Sequence, residues 1–172
     1  MKKVSAFVLA GTVLFAGVAS AQAPTDAQIA KIVVTANDVD IAAGKLAASK
    51  STNAEIKKFA NLMVTDHTGV NKQAVALVTK LKVTPEDNAT AKSLYDGGKD
   101  NVAKLKGLKG AEFDKAYIDH EVAYHTAVLD AVDKTLIPNA KNEELKALLV
   151  KVRPAFVAHL EHAKMVQASV SK

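Results

Sequence analysis

Apolar residues recur every three or four positions through most of the chain, a spacing that places them on one face of an α-helix. No long stretch alternates with a period of two, as a half-buried strand would. The sequence therefore predicts an all-α protein with four long helices and one weaker helical segment. The predicted helices span about residues 26–50, 52–82, 84–106, 111–137 and 142–168.

Two helix starts carry local signals. Thr52 is followed three residues later by Glu55, a pattern typical of a capping box, and predicts the start of the second helix. Thr84 precedes Pro85, and proline is favoured at the first position of a helix. The weaker segment is therefore expected to begin there.

Glycine and proline mark the expected interruptions. Gly97 and Gly98 predict a break within the weaker segment, and the fourth helix is expected to end before Pro138. Pro154 lies inside the last helix, where it removes a backbone donor and predicts a kink.

The connections predict the topology. Short turns make the first two long helices antiparallel neighbours, and the same holds for the last two. Between these pairs, residues 83–110 are long enough to return along the bundle. One long crossover containing a short helix is the ferritin-like four-helix arrangement. A plain up-and-down bundle with a helical excursion is the alternative.

The first 21 residues have the pattern of a secretory signal peptide. Lys2 and Lys3 precede an apolar run at 4–18, and Ala-Ser-Ala at 19–21 fits the cleavage rule. The apolar run is shorter than a membrane-spanning helix requires. We therefore expect export to the periplasm or cell envelope, with one domain over residues 22–172.

Composition narrows the function classes. The chain has no Cys, which excludes disulfides, thiolate metal sites, cysteine nucleophiles and covalently attached c-type haem. A net charge of +5, spread singly among acidic residues, gives no basic stripe for nucleic acid. No segment of the mature chain is expected to span a membrane. A protein partner or a homo-oligomer stays open.

Three of the five histidines occupy positions where an apolar residue is expected. His67, His125 and His159 each lie near mid-helix on the apolar face of a different helix. The matching level of the first helix holds Asn37 and Asp40. Polar side chains that meet at one level of a bundle core are typical of metal or cofactor sites.

Two further side chains join the candidate set. Glu121 lies 40° from His125 around its helix and can converge with it, while His162 is a reserve ligand beside His159. Counted from the predicted helix ends, His125 and His159 differ in depth by about 9 Å. The predicted metal site comprises His67, His125, His159, Glu121 and Asp40, and suits zinc, iron, manganese or copper.

Other interpretations compete with a metal site. Each histidine can be a neutral buried imidazole bonded to Asp40, Asn37, Tyr117 or Tyr124. The protein would then be a non-catalytic envelope bundle that acts through protein contacts. A di-iron centre of the ferroxidase type is not supported, because no Glu-x-x-His unit occurs. Redox or hydrolytic catalysis, which would need an open coordination position, is a third possibility.

A set of motifs along the mature chain resembles a bacterial family. The motifs are Gly-Lys-Leu-Ala at 44–47, Met-Val-Thr-Asp-His at 63–67, Phe-Asp-Lys-Ala-Tyr at 113–117, His125, Arg-Pro at 153–154 and His-Leu at 159–160. This is a domain-of-unknown-function family of exported ferritin-like bundles, often labelled as outer-membrane proteins. The resemblance implies a ferritin-like four-helix bundle in the periplasm or envelope.

The resemblance also has implications for individual residues. It implies that His67, His125 and His159 are recurring histidines, with Asp66 and Asp114 as recurring acidic partners. The first-helix carboxylate of this family is commonly Glu, and Asp40 stands there as a shorter substitute. The family label implies no activity.

Overall fold

The computed structural model describes residues 23–170, so the predicted leader lies outside the described part. This part is helical and contains no strand, which confirms the all-α prediction. A π-helical turn at Val132–Leu136 follows the fourth helix. The helices are Asp26–Lys50 (α1), Ala54–Leu81 (α2), Ala89–Gly107 (α3), Gly110–Ala131 (α4), Ile137–Asn139 (α5) and Glu143–Val170 (α6).

Helix α3 returns along the bundle, parallel to α1. Its approach is fixed at one end by the amide of Glu86, which donates to the carbonyl of Ala27. At the other end the ammonium of Lys50 donates to the carbonyl of Leu105 over 3.2 Å. The connection between α2 and α4 therefore crosses the full length of α1, as the sequence predicts.

Helices α4 and α6 form the second antiparallel pair. Helix α4 begins near the end of α1, where the hydroxyl of Ser51 donates to Asp114 over 2.6 Å. Helix α6 begins near the start of α1, where the carboxylate of Asp26 accepts from the amides of Lys141 and Asn142. Helices α1 and α6 thus run one way, and α2 and α4 run the other way.

The helix starts predicted at Thr52 and Thr84 both lie further along the chain in the structure. Asn53, not Thr52, caps α2, because its side-chain oxygen accepts from the first free amides of the helix. Asn88 caps α3 in the same way, so α3 begins five residues after Thr84. An asparagine caps a helix as well as a threonine does, and packing selected between neighbouring candidates.

The prediction of a break at Gly97 and Gly98 was wrong, since α3 continues through both residues. Gly98 is buried against α1, and a Cβ there would lie 2.6 Å from a methyl carbon of Val39. Gly97 faces open space. Gly98 therefore serves the close approach of two helices, which outweighs its low helix propensity.

The end predicted before Pro138 was also wrong. After α4, the π-helical turn carries the helical path into α5, which contains Pro138. Within this turn the amide of Ile137 donates to the carbonyl of Val132, five residues back. A proline ring collides with the carbonyl four residues back in a regular α-helix, and the wider turn relieves this contact. Helix α6 continues through Pro154, where the kink stays a prediction.

The interior has two main apolar clusters, one toward each end of the bundle. We call the first the closed half; its buried members are Ala43, Ala47, Ile56, Phe59, Ala60, Met63, Leu105, Phe113, Tyr117, Ile118, Ala163 and Val166. The second, the open half, borders a cavity of about 670 Å³; its buried members are Ile29, Ile32, Val33, Ala74, Ala91, Val132, Leu136, Ala140, Leu145 and Leu149. Within residues 23–170, no helix has the length and apolar character needed to cross a bilayer.

Candidate metal centre

A layer of buried polar side chains separates the two halves of the bundle. Helix α1 contributes Asp40, α2 contributes His67, α4 contributes Glu121 and His125, and α6 contributes His159. None of these residues is more than 3% exposed. The structure thus brings together all five predicted site residues, from the four long helices, while their role as ligands stays a prediction.

The three imidazoles surround a common space. Their ring centres lie 5.2 Å apart for His67 and His159, 5.5 Å for His125 and His159, and 5.6 Å for His67 and His125. One nitrogen from each ring can be chosen so that all three lie within 4.8 Å of one another. A second group with the same property comprises Asp40, Glu121 and His125.

The depth mismatch predicted between two of these histidines was wrong. The π-helical turn and α5 extend the helical path to Asn139, three residues beyond the end assumed from the sequence. Counted from Asn139 and Glu143, His125 and His159 lie 14 and 16 residues from the turn. The remaining mismatch of two residues corresponds to about 3 Å along the axis.

Each imidazole donates one ring N–H to an acceptor at the edge of the layer. His67 Nδ1 lies 2.7 Å from Oδ1 of Asn37, and His125 Nδ1 lies 3.0 Å from the carbonyl of Glu121. His159 Nε2 lies 2.9 Å from Oδ2 of Asp66. These bonds fix the ring planes, and the second nitrogen of each ring is buried without a hydrogen bond among the described residues.

A chain of amides fixes the proton on His67. Asp38 can only accept, so Asn71 donates its Nδ2–H to that carboxylate over 2.7 Å. The Oδ1 of Asn71 then accepts from Nδ2 of Asn37 over 2.9 Å. Asn37 therefore presents its own Oδ1 to His67, whose Nδ1 must carry the proton. The lone pair of the neutral ring is left on Nε2.

The atoms that face the common space are unpaired. Among the described residues, no hydrogen-bond partner with acceptable geometry exists for Nε2 of His67, Nε2 of His125, Nδ1 of His159, either oxygen of Asp40 or Oε2 of Glu121. Asp40 Oδ2 is close to two imidazoles, 3.1 Å from His67 Nε2 and 3.4 Å from His125 Nε2. Buried polar atoms are paired in nearly all proteins, so a cluster of unpaired ones requires an explanation.

Burial dominates the electrostatics of the layer. It lowers the pKa of His125 to about 4 and also lowers the pKa of His159. Burial acts in the opposite direction on the carboxylate of Asp40 and raises its pKa. The neighbouring His67 outweighs this effect and brings the pKa of Asp40 below its ordinary value. The pKa of Glu121 is well above its usual range, because the carboxyl is buried and Asp40 is nearby. Burial therefore favours the neutral forms of His125 and His159.

Two other residues named from the sequence, His162 and Asp114, lie outside this cluster, and so does His120. The ring of His162 packs edge-on against Phe59 in the closed half, 5.2 Å between centres. His120 stacks on Tyr124. Asp114 is buried at the junction of α1 and α2, bonded to Ser51 rather than to a histidine. The reserve ligand His162 is therefore not part of the site, and the expectation of a role for Asp114 beside the histidines was wrong.

Sequence reasoning missed two residues that hold His67 in place through Asn37. Asn71 lies one helical turn after His67, a spacing that places both on one side of α2, and it is half-buried, yet a single polar residue on a helix gives no signal in the sequence. Asp38 adjoins Asn37 and is exposed, so only the packing of α1 against α2 shows that it ends the amide chain. Asp66 confirms the acidic partner expected from the family resemblance, and serves His159.

Comparison with known proteins gives a family and no activity. The domain of unknown function DUF4142 matches residues 15–166, which is most of the chain, and the protein belongs to this family. Neither the curated proteins nor the solved structures contain a match to the chain.

Proposed function

We propose that this member of the DUF4142 family is an exported helical protein that binds a divalent transition-metal ion between its four long helices. The ligands are His67, His125 and His159 with Asp40, and Glu121 is a further oxygen donor. One observation carries the proposal: the donor atoms of these five side chains form two groups that share His125, each within 4.8 Å, and six buried atoms of the five side chains have no hydrogen bond among the described residues.

The donor separations suit a small cation. Ligand atoms that lie 2.0–2.1 Å from a tetrahedral zinc ion are about 3.3–3.4 Å from one another. Asp40 Oδ2 is 3.1 Å from His67 Nε2 and 3.4 Å from His125 Nε2. His159 joins His67 and His125 in one group of candidate ligands, and Asp40, Glu121 and His125 form a second group. Zinc, iron, manganese and copper all accept such nitrogen and oxygen donors.

The hydrogen bonds that hold the three imidazole rings support the same interpretation. A ligating histidine typically donates its other ring N–H to a carboxylate, a carbonyl or an amide oxygen, which fixes the tautomer and the ring plane. All three histidines do so here, through Asn37, the Glu121 carbonyl and Asp66. A bound dication would also stabilise the ionised form of Glu121, whose negative charge is disfavoured by burial.

The chain path supports a ferritin-like arrangement for this bundle. Two antiparallel pairs, α1 with α2 and α4 with α6, are linked by a crossover that returns along α1. Metal centres of such bundles lie between the pairs, at the level where the polar layer lies here. The histidine-rich donor set differs from a carboxylate-rich di-iron centre. The role we propose is metal handling or stress protection in the periplasm or envelope.

Metal titration of two matched variants tests the proposal. The protein is purified without a histidine tag, stripped with a chelator and titrated with Co²⁺ and Zn²⁺ by visible absorption and calorimetry. We expect saturable micromolar or tighter binding to the wild type. His159→Gln should weaken it at least tenfold. His162→Gln, one turn further along α6 and outside the layer, should leave it unchanged. Absence of micromolar binding, or equal loss in both variants, would contradict a metal centre here.

The second candidate is a structural ion-pair network in a bundle that acts through protein contacts. It is favoured by the approach of His67 to Asp40, since a protonated His67 would pair with that carboxylate. Such a pair leaves Nε2 of His125, Nδ1 of His159 and Oε2 of Glu121 without a hydrogen bond among the described residues, and it is therefore the weaker explanation. If no metal binds, and His67→Leu lowers the free energy of unfolding because Asp40 loses its partner, this second function replaces the first.

A further inference from the structure

The cavity of the open half lies between α1 and α4. Its walls come from α1, the start of α3, α4 with the π-helical turn, and α6. Apolar side chains predominate in the wall, among them Ile32, Val33, Val128, Val132, Leu149 and Phe156. A volume of about 670 Å³ is in the range of pockets that hold small organic ligands.

The cavity has one wall toward solvent and one toward the polar layer. Exposed residues of the solvent side are Thr90 on α3, Ala127 on α4 and Thr135 on the π-helical turn. At the inner end it reaches Asn37 and His67. Along α1 it extends from residue 28 to residue 37, about 13 Å at the rise of an α-helix.

Two polar side chains of the inner end are already engaged with protein. The side chain of Asn37 bonds His67 on one side and Asn71 on the other. The hydroxyl of Tyr124 donates to the carbonyl of Ala36 over 2.8 Å. Nε2 of His67 has no hydrogen bond among the described residues, but the ring itself is stacked on Phe156. Asn37 and Tyr124 therefore offer no free polar partner to a molecule at this end, and an apolar inner part suits it.

We propose that the cavity binds a single acyl chain, with the tail directed toward Phe156 and the polar head at the solvent side near Thr90 and Thr135. The extent of about 13 Å along α1, the apolar walls and the engaged side chains of Asn37 and Tyr124 all favour an unbranched hydrocarbon chain. Both a free fatty acid and a lysophospholipid supply such a chain. This ligand site does not depend on the metal centre, because only the wall near His67 is shared.

Displacement of a fluorescent probe measures acyl-chain binding. The mature protein, kept in a chelator, is loaded with N-phenyl-1-naphthylamine, and octanoate, decanoate and dodecanoate compete below their micelle concentrations. Each added methylene buried in the cavity should tighten binding about fourfold. The gain should level off once the chain exceeds the cavity length. A lauroyl lysophospholipid, run in parallel, shows which of the two heads the solvent side accepts.

Two filling variants and a matched control locate the site. Ala127→Trp and Thr90→Trp place bulk at the solvent side of the cavity, from α4 and from α3, and each should weaken decanoate binding at least tenfold. Ala123→Trp, one turn earlier on α4 and also exposed, does not line the cavity and should bind like the wild type. Circular dichroism confirms folding of each variant. Lack of saturable displacement, or equal affinity in filling and control variants, would overturn the proposal while the metal titration stands by itself.

Discussion

The closed and open halves of this bundle use the same kinds of apolar side chain in different ways. In the closed half, Phe59, Met63 and Tyr117 are fully buried, and α3 seals the outer side with Leu105. In the open half, a cavity lies between α1 and α4, and side chains such as Leu149 line this cavity instead of packing fully against other side chains. The polar layer of histidines and carboxylates lies at the border between them.

This difference separates stability from function within one bundle. Close packing on one side of the layer supplies dispersion contacts and keeps water away, which makes the ring orientations rigid. The cavity on the other side forgoes such contacts and gives a small molecule or ion access to the layer. A centre held by rigid helices and reached from one side is the arrangement that a binding protein needs.

The largest expected effect comes from a matched pair of leucines. Leu105 is fully buried in the closed half and Leu149 is equally buried beside the cavity. Leu105→Ala should cost about 4 kcal/mol of unfolding free energy, near the upper part of the range for such changes. Leu149→Ala should cost only about 2 kcal/mol, because contacts on its cavity side are already missing. Urea denaturation of both variants makes the measurement, and equal costs would remove the distinction between the halves.

The polar layer should make the metal-free protein sensitive to acid. Burial lowers the pKa of His125 to about 4, whereas an unfolded histidine titrates near 6.5. Between these values the unfolded chain binds the extra proton, so the stabilisation present above pH 6.5 is lost as the pH falls toward 4.

The slope from this one group reaches about 1.4 kcal/mol per pH unit. His125→Asn, whose amide can still donate to the carbonyl of Glu121, serves as the comparison. Denaturation in a chelator between pH 4 and 7 should give a steeper decline for the wild type than for this variant. Parallel curves for the two proteins would show that His125 is not held neutral by burial.

The smallest expected effect tests how α3 covers the bundle at the level of the layer. Gly98→Ala places a methyl group against Val39 and should destabilise the protein by about 1–3 kcal/mol, as overpacking does. Gly97→Ala meets open space and should stabilise it by up to about 1 kcal/mol, since alanine is the better helix former. Adding Val39→Ala should restore the Gly98→Ala variant. Thermal unfolding measures the stability of all three variants. If Gly98→Ala and Gly97→Ala changed the stability in the same direction, the close approach of α3 to α1 would be contradicted.

Much of the fold could be predicted because its determinants are local. The spacing of apolar residues predicted the four long helices, with α1 matching at both ends. The boundaries that failed had two kinds of cause. Gly98 depends on a distant contact, the packing of Val39 against it. Pro138 depends on a local π-helical turn, which the spacing of apolar residues does not reveal.

The sequence alone determined that the protein is helical and that His67, His125 and His159 occupy apolar faces near the middle of their helices. Both properties follow from periodicity and residue type, which act over a few turns. Only the tertiary structure decided that these rings share one level with Asp40 and Glu121, that Asn37 and Asp66 fix their orientation, and that a cavity adjoins them. Depth and ring orientation depend on how separate helices slide and rotate against each other, and the connecting turns and the packing of the whole bundle determine that register.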